Sequence, residues 1–232
     1  MTPFVRRWVT EEGDTYVASL VRVLIGGLLL YTALRETWRG LQNEHFAYVF
    51  HLPLVPESVV PGAGVWWAIV VSQIFLAGLV AIGRFARPAL FLSALLGVYV
   101  LSCDRLGYHN NRYALCLFAF LLAFAPCDRA FVLRAKGRAP LSAEDRRGPL
   151  WAVRLVQLQM SIIYVASGGS KLLDADWRDG LVLGDRLTRA TSMAVAKGVP
   201  AWLMEFLADP ALSSGLAKLA IATELALAVT LF

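Results

Sequence analysis

Between residues 65 and 103 the only charged side chains are Arg84 and Arg87. They divide the stretch into two apolar runs, 65–82 and 88–103, each close to the ~20 residues that a helix needs to cross a ~30 Å hydrocarbon core. A link of only five residues, 83–87, makes the two runs an antiparallel hairpin. Inside a bilayer the backbone must satisfy its own hydrogen bonds, so segments of this kind are helices. The rest of the chain agrees: of 232 residues 58% are hydrophobic and the mean hydropathy is +0.59, well above a water-soluble domain.

Four further runs have the same character. Residues 16–34 are apolar except for Arg22, one to two turns from the start, where it is expected to snorkel to the interface, with an internal ion pair as the rival. Residues 113–126 form a short span. Residues 151–171 extend about 31 Å as a helix, and Arg154, Gln157 and Gln159 require part of it to face protein. Residues 216–232 carry Lys218 near the start and Glu224 in the middle. The expected fold is an all-α polytopic membrane helix bundle of about six spans, read as a single domain over 1–232. Residues 181–197 add an interfacial helix on the outer face, with Leu183, Leu187, Ala190, Met193 and Ala194 on its apolar side, before Pro200 and Pro210. The chain stops without a polar anchor, and truncation at this end is expected.

The net charge of +5 comes from residues in loops and helix ends, which fits anionic lipid and membrane orientation; without a basic stripe of interleaved aromatics, nucleic acid is not an expected partner. With the N-terminus inside, the inner segments carry ten Lys and Arg residues in short stretches, against nine across the longer outer loops. The positive-inside rule therefore favours a cytoplasmic N-terminus in the inner membrane. That orientation places His45, His51, His109, Lys171, Asp174, Asp176 and Asp179 on the outer face. Cys103, Cys116 and Cys127 have neither disulfide nor zinc spacing, and His45 and His51 lack a metal-binding motif, so no metal is expected.

The densest chemistry lies in 157–183. An apolar helix loosens at Ser167-Gly168-Gly169-Ser170, presents Lys171 at its end, and leads into Asp174, Asp176, Trp177 and Asp179. The residues leave two readings open: an interfacial lysine anchor, or an amine whose proton affinity is set by neighbouring carboxylates. A second polar group, Tyr108-His109-Asn110-Asn111-Arg112, precedes the fourth span, where Asn110 or Asn111 would cap a helix. The segment His51-Leu52-Pro53-Leu54-Val55-Pro56-Glu57 reads as a rigid cap or a substrate contact.

The pattern Tyr164-x-x-Ser167-Gly168-x-Ser170-Lys171, followed by Trp177-x-Asp179-Gly180, resembles the signature helix of the HTTM (horizontally transferred transmembrane) domain. That family includes the membrane part of vitamin K-dependent gamma-glutamyl carboxylase, whose version of the segment is similar to Asp174-Ala175-Asp176-Trp177. The resemblance implies Lys171 as a base positioned by Asp174 and Asp176. It implies a reduced, vitamin K-like quinone as cofactor, and His51, Asn110, Asn111, Arg112, Tyr164 and Trp177 as contacts of substrate or cofactor. The chain departs from the family where a catalytic histidine follows the two asparagines: it has Arg112 there, which cannot serve as a base, and His109, on their other side, is the catalytic candidate expected in its place.

Three functions follow from the resemblance. One is a quinone-dependent, carboxylase-like modification of a small secreted peptide, although no segment matches the carboxylase's large lumenal domain and full gamma-carboxylation is not expected. The second is a non-catalytic membrane subunit that assists maturation or export of a secreted peptide with a separate partner protein, similar to HTTM proteins of the bacterial sporulation-delaying system. The third is a structural, DoxX-like membrane protein in which Lys171 is only an anchor.

Overall fold

The computed structural model describes residues 3–43, 50–133, 142 and 144–231, with the side chains of residues 3–6 left aside. His45 lies outside the described residues. Ten α-helices dominate the described residues, and the expected all-α class holds. The chain divides into two compact units, residues 1–156 and 157–232.

The first unit opens with α1 (Pro3–Thr10), a short strand β1 (Glu12–Asp14), and α2 (Tyr16–Leu41). A 3-10 turn (Glu57–Val59) leads to α3 (Ala63–Ile82), α4 (Ala86–Cys103) and α5 (Asn110–Leu122). Strand β2 (Arg147–Pro149) then pairs antiparallel with β1, Gly13 opposite Gly148, an element that the hydropathy pattern does not announce. Helix α6 (Trp151–Leu173) runs on from the first unit into the second. The core joins α2 to α5 through Ile25, Leu29, Ala77, Val80, Leu90, Ala94, Ala119 and Leu122.

Helices α2, α3 and α4, together with α10 (Pro210–Thr230) of the second unit, are long and apolar enough to span a membrane. At most 39% of each apolar window is buried. On α2, Leu24, Leu28 and Tyr31 face outward while Ile25, Leu29 and Ala33 face inward. A helix apolar all round and buried on one side needs lipid on the other. At 13 residues α5 reaches only about 20 Å, and α6 carries Arg154, Gln157 and Gln159 in its first half; those two expected spans fall outside the group of four.

Arg22 does not snorkel, nor does it form an ion pair among the described residues. It is fully buried. Nε donates to the Cys127 carbonyl at 2.9 Å, Nη1 to Val80 at 2.6 Å and Ala81 at 3.0 Å, and Nη2 to Ala130 at 2.9 Å and Phe131 at 2.8 Å. Two of these carbonyls belong to the last turn of α3, where helix carbonyls lack intrahelical donors and the dipole favours a cation. Gly83 makes room: it caps α3 with φ +78°, and a Cβ there would sit 2.8 Å from Nη1. Any side chain at 83 would meet both backbone strain and the guanidinium.

At the same end of the unit, Thr15 donates to the Arg146 carbonyl at 2.7 Å and Arg154 pairs with Glu11 at 2.6 Å. Arg154 also donates to the Trp8 carbonyl. It faces protein, as its place in an apolar run required. Glu11 is held below the usual carboxylate range, chiefly by the hydrogen bond from Arg154.

The second unit contains the rest of α6, a short turn α7 (Ala175–Arg178), α8 (Leu181–Ala196), α9 (Ala201–Leu207) and α10. Helix α8 is the amphipathic segment expected over 181–197. Leu183, Leu187 and Ala194 are half-buried, whereas Ala190 and Met193 are exposed.

Candidate functional site

The glycine pair of α6 does not loosen the helix, which is continuous to Leu173. Gly168 serves close approach instead: a Cβ there would lie 3.0 Å from Leu225 and 3.3 Å from the Cβ of Glu224. One turn later, Lys171 donates from Nζ to Oε1 of Glu224 on α10 in a short ion pair. Both side chains are about one-fifth exposed, and Oε2 of Glu224 is buried with no hydrogen-bond partner. Lys171 Nζ also sits 5.0 Å from the centre of the Trp177 ring, and Arg186 lies 5.5 Å from that ring, so the indole carries two cations.

Asp174, expected beside the amine with Asp176, is engaged elsewhere. Asp174 caps α7 by accepting from the Asp176 N–H at 2.9 Å, and neither aspartate forms an ion pair with Lys171 among the described residues. Tyr164 is half-buried on α6, two turns before Lys171. In this unit the structure thus joins Lys171 to Trp177 and supplies Glu224, which sequence reasoning placed mid-span without assigning it a partner. A carboxylate in an apolar helix was itself the signal, because such a group requires a cation or a proton.

The other expected residues belong to the first unit. His109 is the N-cap of α5, Nδ1 accepting from the Asn111 N–H at 3.2 Å; the cap is the histidine, not either asparagine. Arg112 pairs with Glu36 of α2 at 3.1 Å, and Arg39 approaches the same carboxylate at 3.6 Å. Glu36 was missed because the first span was ended at Leu34, whereas α2 continues to Leu41. Arg35, Arg39, His109, Asn111 and Arg112 line one open pocket with Glu36. Asn110 is exposed at the helix start. His51 contacts Glu57 at 3.1 Å within its own loop, and that loop pairs with the end of α4 through Leu54 N–H to the Ser102 carbonyl. No cluster of three or more metal-ligating side chains occurs among the described residues.

Comparison with curated proteins and with solved structures gives no match. The family model of the HTTM domain matches residues 11–209, which include α2 to α6, the Lys171–Trp177 segment and α8. Apolar helices of membrane-spanning length and a match over most of the chain lead to one conclusion: this is an integral membrane protein of the HTTM domain family.

Proposed function

We propose that the Lys171–Glu224 pair handles a proton for a lipid-soluble reductant of the quinone class, and that the protein serves the modification of a small secreted peptide. The observation that carries the reading is Glu224: one carboxylate oxygen holds the lysine, and the other is buried without a donor. A buried acceptor of this kind is costly unless a donor reaches it. The hydroxyl of a reduced quinone is such a donor, and the Trp177 ring offers an aromatic face beside it, so the residues fit the group. Glu224 and Trp177 would hold it. When bound, it would supply reducing equivalents and ionisable hydroxyls. Glu224 would be the acceptor facing that hydroxyl, and a proton leaving Lys171 Nζ would have Glu224 as its nearest acceptor. The N-terminus belongs on the cytoplasmic side of the inner membrane in this reading.

The test is mass spectrometry of lipid-soluble molecules extracted from purified wild type, Lys171→Ala and Glu224→Gln. A quinone retained by the wild type and reduced about tenfold in Glu224→Gln, the cost of one charge-assisted hydrogen bond, supports the assignment. Phospholipid alone in all three samples removes it.

One observation favours the second reading, a subunit that works with a separate partner protein. Lys171 and Arg112, at the positions to which the resemblance assigns chemistry, are both tied up in ion pairs, with Glu224 and Glu36. Recovery of one stoichiometric protein with the detergent-extracted chain, surviving Lys171→Ala, would decide for that reading.

A further inference from the structure

Arg84 and Arg87, which interrupt the apolar stretch 65–103, belong to the first unit and have no part in the Lys171–Glu224 pair. Helices α3 and α4 extend about 30 and 27 Å from the turn between them, which brings that turn to headgroup depth. Helix α5 runs back along α4 but reaches only about 20 Å. After Leu122 the chain turns inward instead of continuing, and Ala125 and Cys127 are fully buried. The first turns of α4 therefore lose their neighbour on this side.

What remains there is an open groove of about 730 Å³, lined by Phe85, Arg87, Pro88, Phe91, Leu92 and Phe124 among others. Its size falls within the ~300–1,000 Å³ of small-molecule sites. An open side suits a bilayer, because the uncovered edge of a bound acyl chain meets other chains. The wall is fixed by ring contacts: Phe91 lies 5.6 Å from Phe120 and 6.3 Å from Phe124 between centroids, and Phe124 lies 6.2 Å from Trp151.

The mouth is cationic. Arg87 donates through Nε to the Ala123 carbonyl at 3.1 Å, and neither Arg87 nor the exposed Arg84 forms an ion pair among the described residues. One carboxylate, Asp128, also lines the groove, and it stands close enough to the buried Arg22 for their charges to interact. Counting Arg22 against Asp128 leaves two guanidinium charges unmatched. Phe85 adds a second observation. It is 70% exposed and held at φ +51°, a left-handed conformation in which so bulky a residue is an outlier. Backbone strain of this kind collects at sites that use it. Here it sets an aromatic ring at the rim of the groove.

We infer that the groove binds an anionic phospholipid of the adjoining leaflet, its phosphate against Arg87 and Arg84 and one acyl chain along Pro88, Phe91 and Phe124. A phosphate matches the guanidinium fork in geometry and charge. A zwitterionic lipid would bring its own cation to a mouth that already carries two.

The experiment reconstitutes the purified full-length protein in phosphatidylcholine vesicles that contain a phosphatidylglycerol with a diazirine on one acyl chain. After irradiation, peptide mass spectrometry locates the adducts. They are expected to concentrate in residues 85–92 and 123–124, and an excess of ordinary phosphatidylglycerol should suppress them where phosphatidylethanolamine does not. Replacing both arginines, Arg84→Gln with Arg87→Gln, should lower the yield about tenfold through lost charge-assisted contacts. Because Arg87 also holds the Ala123 carbonyl, Phe85→Gly is a second variant. Its backbone conformation suits glycine, so the unfolding midpoint should hold while the yield in the groove falls severalfold. Adducts spread evenly over the outward faces of α2, α3 and α4 overturn the inference. So does equal competition by phosphatidylethanolamine, whose ammonium would then be meeting Asp128, or an undiminished yield in both variants.

Discussion

At the scale of single residues, Arg22 is the most heavily committed side chain in the first unit, with donors meeting five carbonyls from two stretches, the end of α3 and the segment after α5. Lysine offers a point charge in place of the planar fork, and at least two of those carbonyls would lose their donor. Arg22→Lys is therefore expected to cost roughly 2–4 kcal/mol, read as a lowered unfolding midpoint in detergent. The Lys171–Glu224 pair behaves differently. Removing either partner leaves the other charge half-buried, and Lys171→Met or Glu224→Met alone should destabilise by about 1–3 kcal/mol, a range reduced for their partial exposure. The double variant should cost less than the sum of the two, and a thermal double-mutant cycle measures the difference. Lys171 and Trp177 were legible as neighbours because six residues at a helix end can hardly separate. Glu224 was not legible as their partner, since it lies 53 positions from Lys171 and no local pattern encodes so distant a contact.

At the scale of elements, the apolar runs gave away the helices, and charges misplaced their ends. Arg35, Glu36 and Arg39 suggested that the first span had stopped, yet α2 continues for two turns, where Glu36 pairs with Arg39 and with Arg112 of α5. Residues 12–14 and 147–149 gave no strand signal: three residues each, they pair only because flanking helices bring them together. The Glu11–Arg154 contact adds a charge clasp beside that ribbon and has a defined pH dependence. Because folding lowers the Glu11 carboxyl from its ordinary value of 4.5, the clasp contributes fully above that pH and is lost as pH falls through the depressed value. The stability difference between wild type and Glu11→Gln should be constant at neutral pH and shrink in acid, as followed by thermal unfolding across pH 3–7. At the start of α5, His109→Ala removes the cap on the Asn111 N–H and should cost about 1 kcal/mol by the same assay.

For the whole molecule, the proposed orientation can be checked with single cysteines, because the native thiols are poor reporters. Cys103, Cys116 and Cys127 are all buried, and burial pushes the Cys127 thiol up to about 12, far from the reactive thiolate. In intact cells an impermeant maleimide should label Leu106→Cys, between α4 and α5, and spare Arg84→Cys, between α3 and α4, until the membrane is opened. The reverse result would place the N-terminus outside.

The carbonyls that receive Arg22 lie 58 to 109 positions further along the chain. A ribosome adding 5–20 residues per second needs on the order of 5–20 s to deliver the last of them. Until then the first long helix carries near its beginning a guanidinium whose carbonyl partners are incomplete. Its final depth in the bilayer must therefore be set late, when the segment after α5 arrives, rather than at the moment the helix is released.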